Sequence, residues 1–317
     1  MDVRTQTGAA AQRWSTHGWN RPLSWELILR ITPGLPRFIL IPLHHATSMI
    51  CFACMPRERA AARRNLGRIT GSTGLANMRL AYRLFFNFSR FMVAYTEMSG
   101  LVPAQFRHRL IGVERTERAM KELLSEGRGA VVLTMHIGQW DLGLKLLTHF
   151  GYPVHVVMTR EEPEKVTRYA SDARAGPNLR VHETGSSPLL AVELAAALRR
   201  GEVVAVQADR AVGSGLMATP FFGSEVPLPT GPVLLAMATG APVLPAFILL
   251  ERGRRYRVTT MEPLRFQRHR GVPPDSMVRE AMGRVARVME SVVSRHPDQW
   301  FNFYDVWDGA SKDGTRG

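Results

Sequence analysis

Ala130-Val-Val-Leu-Thr-Met-His-Ile-Gly-Gln-Trp-Asp-Leu-Gly143 contains a strand, a turn and the start of a helix. Its first six residues form a near-continuous apolar run, as expected for a strand buried on both faces of a parallel sheet. Gly138 supplies a residue that turns freely. From Trp140 to Phe150 the apolar residues return at helical spacing. The same alternation extends outward along the chain. Further strands are expected at Val154–Thr159, Val203–Ala208, Pro242–Leu250 and Tyr256–Thr260. Helices are expected at Thr116–Glu126, Glu162–Ala173, Pro188–Arg200, Thr230–Thr239 and Asp275–Arg295, the last with Asp275 as its N-cap. Such alternation predicts an α/β fold with a central mixed, mostly parallel sheet covered by helices. Active sites in these sheets lie beyond the carboxyl ends of the strands.

Three of these strands run into polar residues at that end: His136, Arg160, and Asp209 with Arg210. His136 and Asp141 are five apart, which on a regular helix would separate them by roughly 140°. They meet only if the chain turns at Gly138, with Asp141 in the first turn of the following helix, where the helix dipole favours its ionised form. A carboxylate on one imidazole nitrogen fixes the tautomer and makes the other nitrogen a general base. A lone histidine on an apolar strand is more often a satisfied core residue.

Composition narrows the class. The chain has 317 residues, 45% of them hydrophobic, and only two cysteines. This excludes a disordered chain and a disulfide scaffold. Cys51-x-x-Cys54 has no second pair and reads as two small buried hydrophobes. No zinc-binding histidine spacing, P-loop, G-x-S-x-G or G-x-G-x-x-G motif is present. The net charge is +14, and of 41 basic residues only Lys121, Lys145, Lys165 and Lys312 are lysine. So much arginine calls for an anionic partner: nucleic acid, membrane surface or phosphorylated substrate.

The first hundred residues favour the membrane. Residues 1–21 lack the apolar core of a signal peptide. Leu23–Met55 is apolar but broken by Arg30, Arg37, Pro33, Pro36 and Pro42, so it suits a leaflet-embedded helix as well as a spanning one. Residues 59–96 contain seven arginines and no acid. Within Ala76–Tyr95, Arg79, Arg83 and Arg90 share one helical face and Leu80, Leu84, Phe88 and Phe91 another. That pattern predicts attachment to an anionic bilayer surface. Residues 1–100 are therefore assigned to a helical membrane-associating region, 101–308 to an α/β catalytic domain and 309–317 to a polar tail.

His136-x4-Asp141 resembles the H-x4-D/E signature of the lysophospholipid acyltransferase superfamily. Its surroundings resemble the lipid A biosynthesis lauroyl/myristoyl acyltransferase branch. Matching stretches are Pro56-Arg-Glu-Arg-Ala-Ala-Ala-Arg-Arg-Asn-Leu66, Ala208-Asp-Arg210, Pro220-Phe-Phe-Gly223, Thr230-Gly-Pro232, Ala238-Thr-Gly-Ala-Pro-Val-Leu-Pro245 and Pro297-Asp-Gln-Trp-Phe-Asn-Phe303. The resemblance implies transfer of a fatty acyl group from an acyl carrier protein or coenzyme A thioester to a lipid hydroxyl, at the cytoplasmic face of a bacterial inner membrane. His136 would act as base and Asp141 would orient it. Arg160 and Arg210 would grip phosphate, with Asp209 holding one of them. No metal or cofactor is implied beyond the acyl thioester co-substrate, and no nucleic acid. Two departures bear on the acceptor: lipid A enzymes commonly carry Glu where Asp141 stands, and the ending Trp300-Phe-Asn-Phe-Tyr-Asp-Val-Trp307 resembles a subgroup whose acceptors need not be lipid A. The competing readings are a basic nucleic-acid-binding module and an inactive membrane scaffold.

Overall fold

The computed structural model describes residues 37–99, 103–158, 178–185, 187–212, 215–267 and 271–308. It opens on three helices, α1 (Arg37–Cys54), α2 (Pro56–Thr70) and α3 (Gly74–Ser99). There follow β1 (Leu110–Ile111), α4 (Val113–Leu124), β2 (Ala130–Thr134), α5 (Trp140–His149), β3 (Val154–Met158), β4 (Leu179–Glu183), α6 (Leu190–Arg199) and β5 (Val203–Gln207). The chain continues through β6 (Leu216–Phe221), β7 (Ser224–Pro229), α7 (Gly231–Thr239), β8 (Val243–Leu250), β9 (Tyr256–Thr260) and α8 (Pro274–Arg295). Seven strands form one sheet in the order β1-β9-β8-β2-β5-β3-β4, and β6 pairs with β7 in a separate hairpin. Every neighbouring pair in the large sheet is parallel except β8 and β9. The fold is thus α/β with a mixed, mostly parallel sheet.

The central strands are apolar throughout because both their faces are covered. Val131, Leu133, Val204 and Val206 pack on one side with Val233 and Ala236 of α7 and Val285 and Met289 of α8. On the other side Val132, Val203 and Ala205 meet Leu144 and Leu147 of α5 and Met120 and Leu123 of α4. A third cluster joins the front helices to the sheet through Leu84, Phe85, Phe88 and Phe91 of α3, together with Phe301, Phe303, Ile248 and Tyr256.

The acid-free basic run is less isolated than its sequence suggests. Arg64 pairs with Asp305 at 2.5 Å and Arg83 with Asp298 at 2.7 Å, so carboxylates from the far end of the chain neutralise part of it. Arg63 Nε donates to Asn77 Oδ1 and Arg90 Nη2 to the Glu251 carbonyl. Among the described residues no single helix is long and apolar enough to cross a membrane. Residues 38–54 and 56–70 pass that test only as a pair, bent by 96°. Cys54 is exposed and Cys51 half-buried, which corrects the expectation that both are buried. Asp275 lies in the first turn of α8 and Pro273 precedes the helix, so Asp275 is not its N-cap. The expected helix Glu162–Ala173 and Arg160 lie outside the described residues.

Candidate active site

The turn between β2 and α5 is held on both sides. Gly138 has φ +59, and a Cβ there would sit 2.0 Å from the Ile248 carbonyl oxygen, so only glycine fits. Its N–H donates to the Gln299 carbonyl at 3.0 Å, and the Gln139 N–H donates to the Ile248 carbonyl at 2.7 Å. These bonds fix where His136 leaves the strand.

β2 pairs with β5 in a register that sets Thr134 beside Gln207, so His136 and Asp209 emerge two residues further on, at the same end of adjacent strands. His136 Nδ1 lies 2.8 Å from Asp209 Oδ1, with side-chain exposures of 15% and 0%. The His136 backbone N–H also points at this carboxylate, 3.2 Å from each oxygen. Asp209 Oδ2 accepts from Trp300 Nε1 at 2.9 Å and from Asn302 Nδ2 at 3.3 Å. Burial alone would raise the Asp209 carboxyl. The neighbouring His136 and Arg210 and the hydrogen bonds from His136 and Trp300 override that and hold it well below the usual carboxylate range. An ionised Asp209 requires the proton on Nδ1, which leaves the lone pair of His136 on Nε2. Burial and then the Arg210 charge lower the imidazole, while Asp209 and Asp141 pull it back up. The resting ring is therefore a neutral base rather than an imidazolium.

Asp141 is buried in the first turn of α5, and its negative charge acts on His136. The sequence expectation assigned the bond on the imidazole to Asp141. The partner on Nδ1 is Asp209, which the sequence places beside an arginine and which acts on the ring together with Asp141. Arg210, whose charge acts on Asp209, is also anchored by the C-terminal segment: its Nε donates to Asn302 Oδ1 at 3.0 Å and its Nη2 to the Phe301 carbonyl at 2.9 Å.

Residues 24–308 match the bacterial lipid A biosynthesis acyltransferase family, across the whole site just described. The chain belongs to that family. It is 32% identical over 131 residues to a phosphatidylinositol mannoside acyltransferase of Mycolicibacterium smegmatis, covering 40% of this chain and 42% of that protein. It is 33% identical over 139 residues to the phosphatidylinositol mannoside acyltransferase of Mycobacterium tuberculosis, covering 43% of each. The chain thus aligns with less than half the length of these relatives.

In this acyltransferase-family fold, the stretch Pro297–Phe303 is the scaffold of the site. Gln299 clasps Leu250, its Oε1 accepting from the Leu250 N–H at 2.7 Å and its Nε2 donating to the Leu250 carbonyl at 3.0 Å. Trp300 and Asn302 hold Asp209, and the Phe301 N–H donates to the His136 carbonyl at 2.8 Å. The segment is in turn gripped by α2. Asn65 Nδ2 donates to the Asn302 and Tyr304 carbonyls, and Asn65 Oδ1 accepts from the Val306 N–H. The sequence signal for these residues was the Arg-Asn-Leu and Pro-x-Gln-Trp stretches, noted as resemblance but given no task. Phe221 is core: its ring stacks on Trp307 and meets the edge of Trp300. Two residues were missed outright. The buried side-chain polar atoms without a hydrogen-bond partner among the described residues belong to Gln139, in the turn, and Gln207, at the end of β5.

Proposed function

We propose that the chain moves a fatty acyl group from an acyl carrier protein or coenzyme A thioester to a hydroxyl of a lipid or glycolipid acceptor. The observation that carries this reading is His136, 15% exposed, with Nδ1 lying 2.8 Å from the fully buried Asp209 carboxylate at the carboxyl ends of parallel strands. His136 Nε2 takes the proton of the acceptor hydroxyl as its oxygen attacks the thioester carbonyl. The carbon–sulfur bond then breaks, and the thiolate leaves with the proton held by His136. One ester forms and one thiol is released, so the balance closes without another co-reactant. Asp209 orients the ring, and the Asp141 charge supports the imidazolium that forms during the reaction. Arg160 and Arg210 bind phosphate on donor or acceptor. The mannoside acceptor in the relatives' names supports a sugar hydroxyl on a phosphoinositide-type lipid as the acceptor class. Exposed Phe38, Ile41, Met49 and Ile50 on α1 support docking on a bilayer, here the cytoplasmic face of the bacterial inner membrane, where acyl thioesters are supplied. The test is thiol release from palmitoyl-coenzyme A by purified protein with mannosylated phosphatidylinositol in mixed micelles. Release that depends on both acceptor and His136 supports the reading. Equal release by His136→Ala removes it.

A further inference from the structure

The hairpin turn joining β8 to β9 reads Glu251-Arg-Gly-Arg-Arg255, with Arg257 just beyond it. Gly253 and Arg254 both adopt left-handed backbone, φ 68 and 64, which makes the turn tight and pushes the flanking side chains outward. Arg252 and Arg255 are exposed and Arg254 is half-buried. Arg90 of α3 joins them from below, its Nη2 donating to the Glu251 carbonyl at 2.5 Å. Among the described residues, Glu251 pairs with Arg257 at 2.6 Å and Asp298 with Arg83 at 2.7 Å. The exposed Arg252 and Arg255 make the tip of the turn positive.

Its location gives that charge a use. His44 of α1 lies 3.0 Å from Ser89 Oγ of α3, next to Arg90, whose Nη2 reaches the Glu251 carbonyl, so the turn adjoins α1. The outer side of α1 is apolar yet uncovered, with Phe38 75%, Ile41 55%, Met49 62% and Ile50 61% exposed. Isolated exposed apolar residues are ordinary, but a stripe of them along one helix with a basic rim has the composition of an interfacial surface. The turn also stands at the carboxyl end of β8, whose Ile248 and Leu250 carry the Gly138 turn and Gln299.

We propose that Arg252 and Arg255 form a phosphate-reading arm that docks on the anionic headgroups of a phospholipid bilayer while the α1 stripe enters the acyl-chain boundary. Together these contacts set the depth at which His136 meets its acceptor. The inference rests on the membrane reading above and adds the second contact and its lipid preference. A basic side chain close to an anionic leaflet changes partition by roughly five-fold, so losing two changes it by roughly 30-fold. The effect is screened by salt.

The test is flotation of full-length wild type and Arg252→Ser/Arg255→Ser with phosphatidylcholine vesicles, with and without phosphatidylglycerol. Thiol release on acceptor in detergent micelles and thermal unfolding are measured in parallel. The expected result is a roughly 30-fold loss of partition to anionic vesicles, little change on neutral ones, and unchanged micellar turnover and unfolding. Unchanged partition would overturn the proposal. A fall in micellar turnover would overturn it in favour of a substrate grip. Reduced activity only with a carrier-protein donor would overturn it in favour of a protein-docking surface. Wild type that binds no vesicle, yet turns over in micelles, would remove the membrane reading and leave the acyl-transfer reading standing.

Discussion

Replacing Asp209 by Asn tests the site at the atom on which its geometry turns. The carboxylate accepts from His136 Nδ1 at 2.8 Å, Trp300 Nε1 at 2.9 Å, Asn302 Nδ2 at 3.3 Å and the His136 backbone N–H at 3.2 Å. All of these partners donate. An asparagine keeps one accepting oxygen and turns the other into a donor, so at least one N–H then faces an N–H. If the amide nitrogen lies toward His136, the ring moves its proton to Nε2 and loses the lone pair that would take the acceptor's proton. If it lies toward Trp300, a buried indole N–H is left unpaired, and His136 is held by a neutral oxygen in place of a charged one. In a Ser-His-Asp triad the same change lowers turnover about 10⁴-fold by the first route. A loss of that size here corresponds to about 5 kcal/mol of barrier. The stability cost of an unpaired buried donor is about 1–3 kcal/mol, a Tm decrease of several degrees. The assay is steady-state thiol release, with Tm measured on the same preparation. Turnover within ten-fold of wild type in a folded Asp209→Asn protein would refute the claim that this carboxylate sets the tautomer of His136.

Other consequences are independent of that one. Asn65→Ala removes the α2 grip on residues 302–306, three hydrogen bonds worth about 1 kcal/mol each, so thermal unfolding should drop by about 3 kcal/mol; no change would mean the C-terminal segment is held without it. Gln139→Met exchanges two buried, unpartnered polar atoms for a thioether of similar shape and should raise stability by about 1–3 kcal/mol; a lower Tm would show that the amide is satisfied. His44 is lowered to about 4 by burial and by the charges of Arg90 and Arg254. The unfolded chain therefore binds this proton more readily than the folded one, and stability is full above pH 6.5 and lost as pH falls from 6.5 toward 4. His44→Gln should flatten the urea-unfolding profile across that window, and an unchanged slope would assign the acid loss elsewhere. Turnover should persist below pH 6.5 because burial and Arg210 keep His136 neutral there, and an acid limb centred above 6.5 would contradict that.

Much of the frame was legible because its signals are local. An apolar run bounded by His136 and Gly138 requires neither a partner nor a register to be read as strand and turn, and β2, β3, β5, β8 and β9 all lie where the sequence places them. The strands that escaped notice are half-exposed or broken by proline. β4 carries Arg180, His182 and Glu183 along a sheet edge, and the β6–β7 hairpin contains Pro220, Pro227 and Pro229, which argue against a strand. His136 and Asp141 were found as a pair because they are five residues apart. The bond from Asp209 could not be found that way, since it depends on β2 lying beside β5 with Thr134 opposite Gln207, a fact of tertiary register. The tasks of Gln299, Trp300 and Asn302 were hidden for the same reason: the segment that carries them reaches the site only after the chain has wrapped around the sheet. Charge misled in one respect. Seven arginines without a local acid looked unbalanced, yet Asp298 and Asp305 return from the chain's end to meet two of them.

The most direct test of the central claim is lipid mass spectrometry of cells expressing wild type or His136→Ala at equal levels. The account predicts a lipid heavier by one acyl chain with wild type alone, together with depletion of its unacylated precursor. The same acylated lipid at equal abundance with His136→Ala would contradict it.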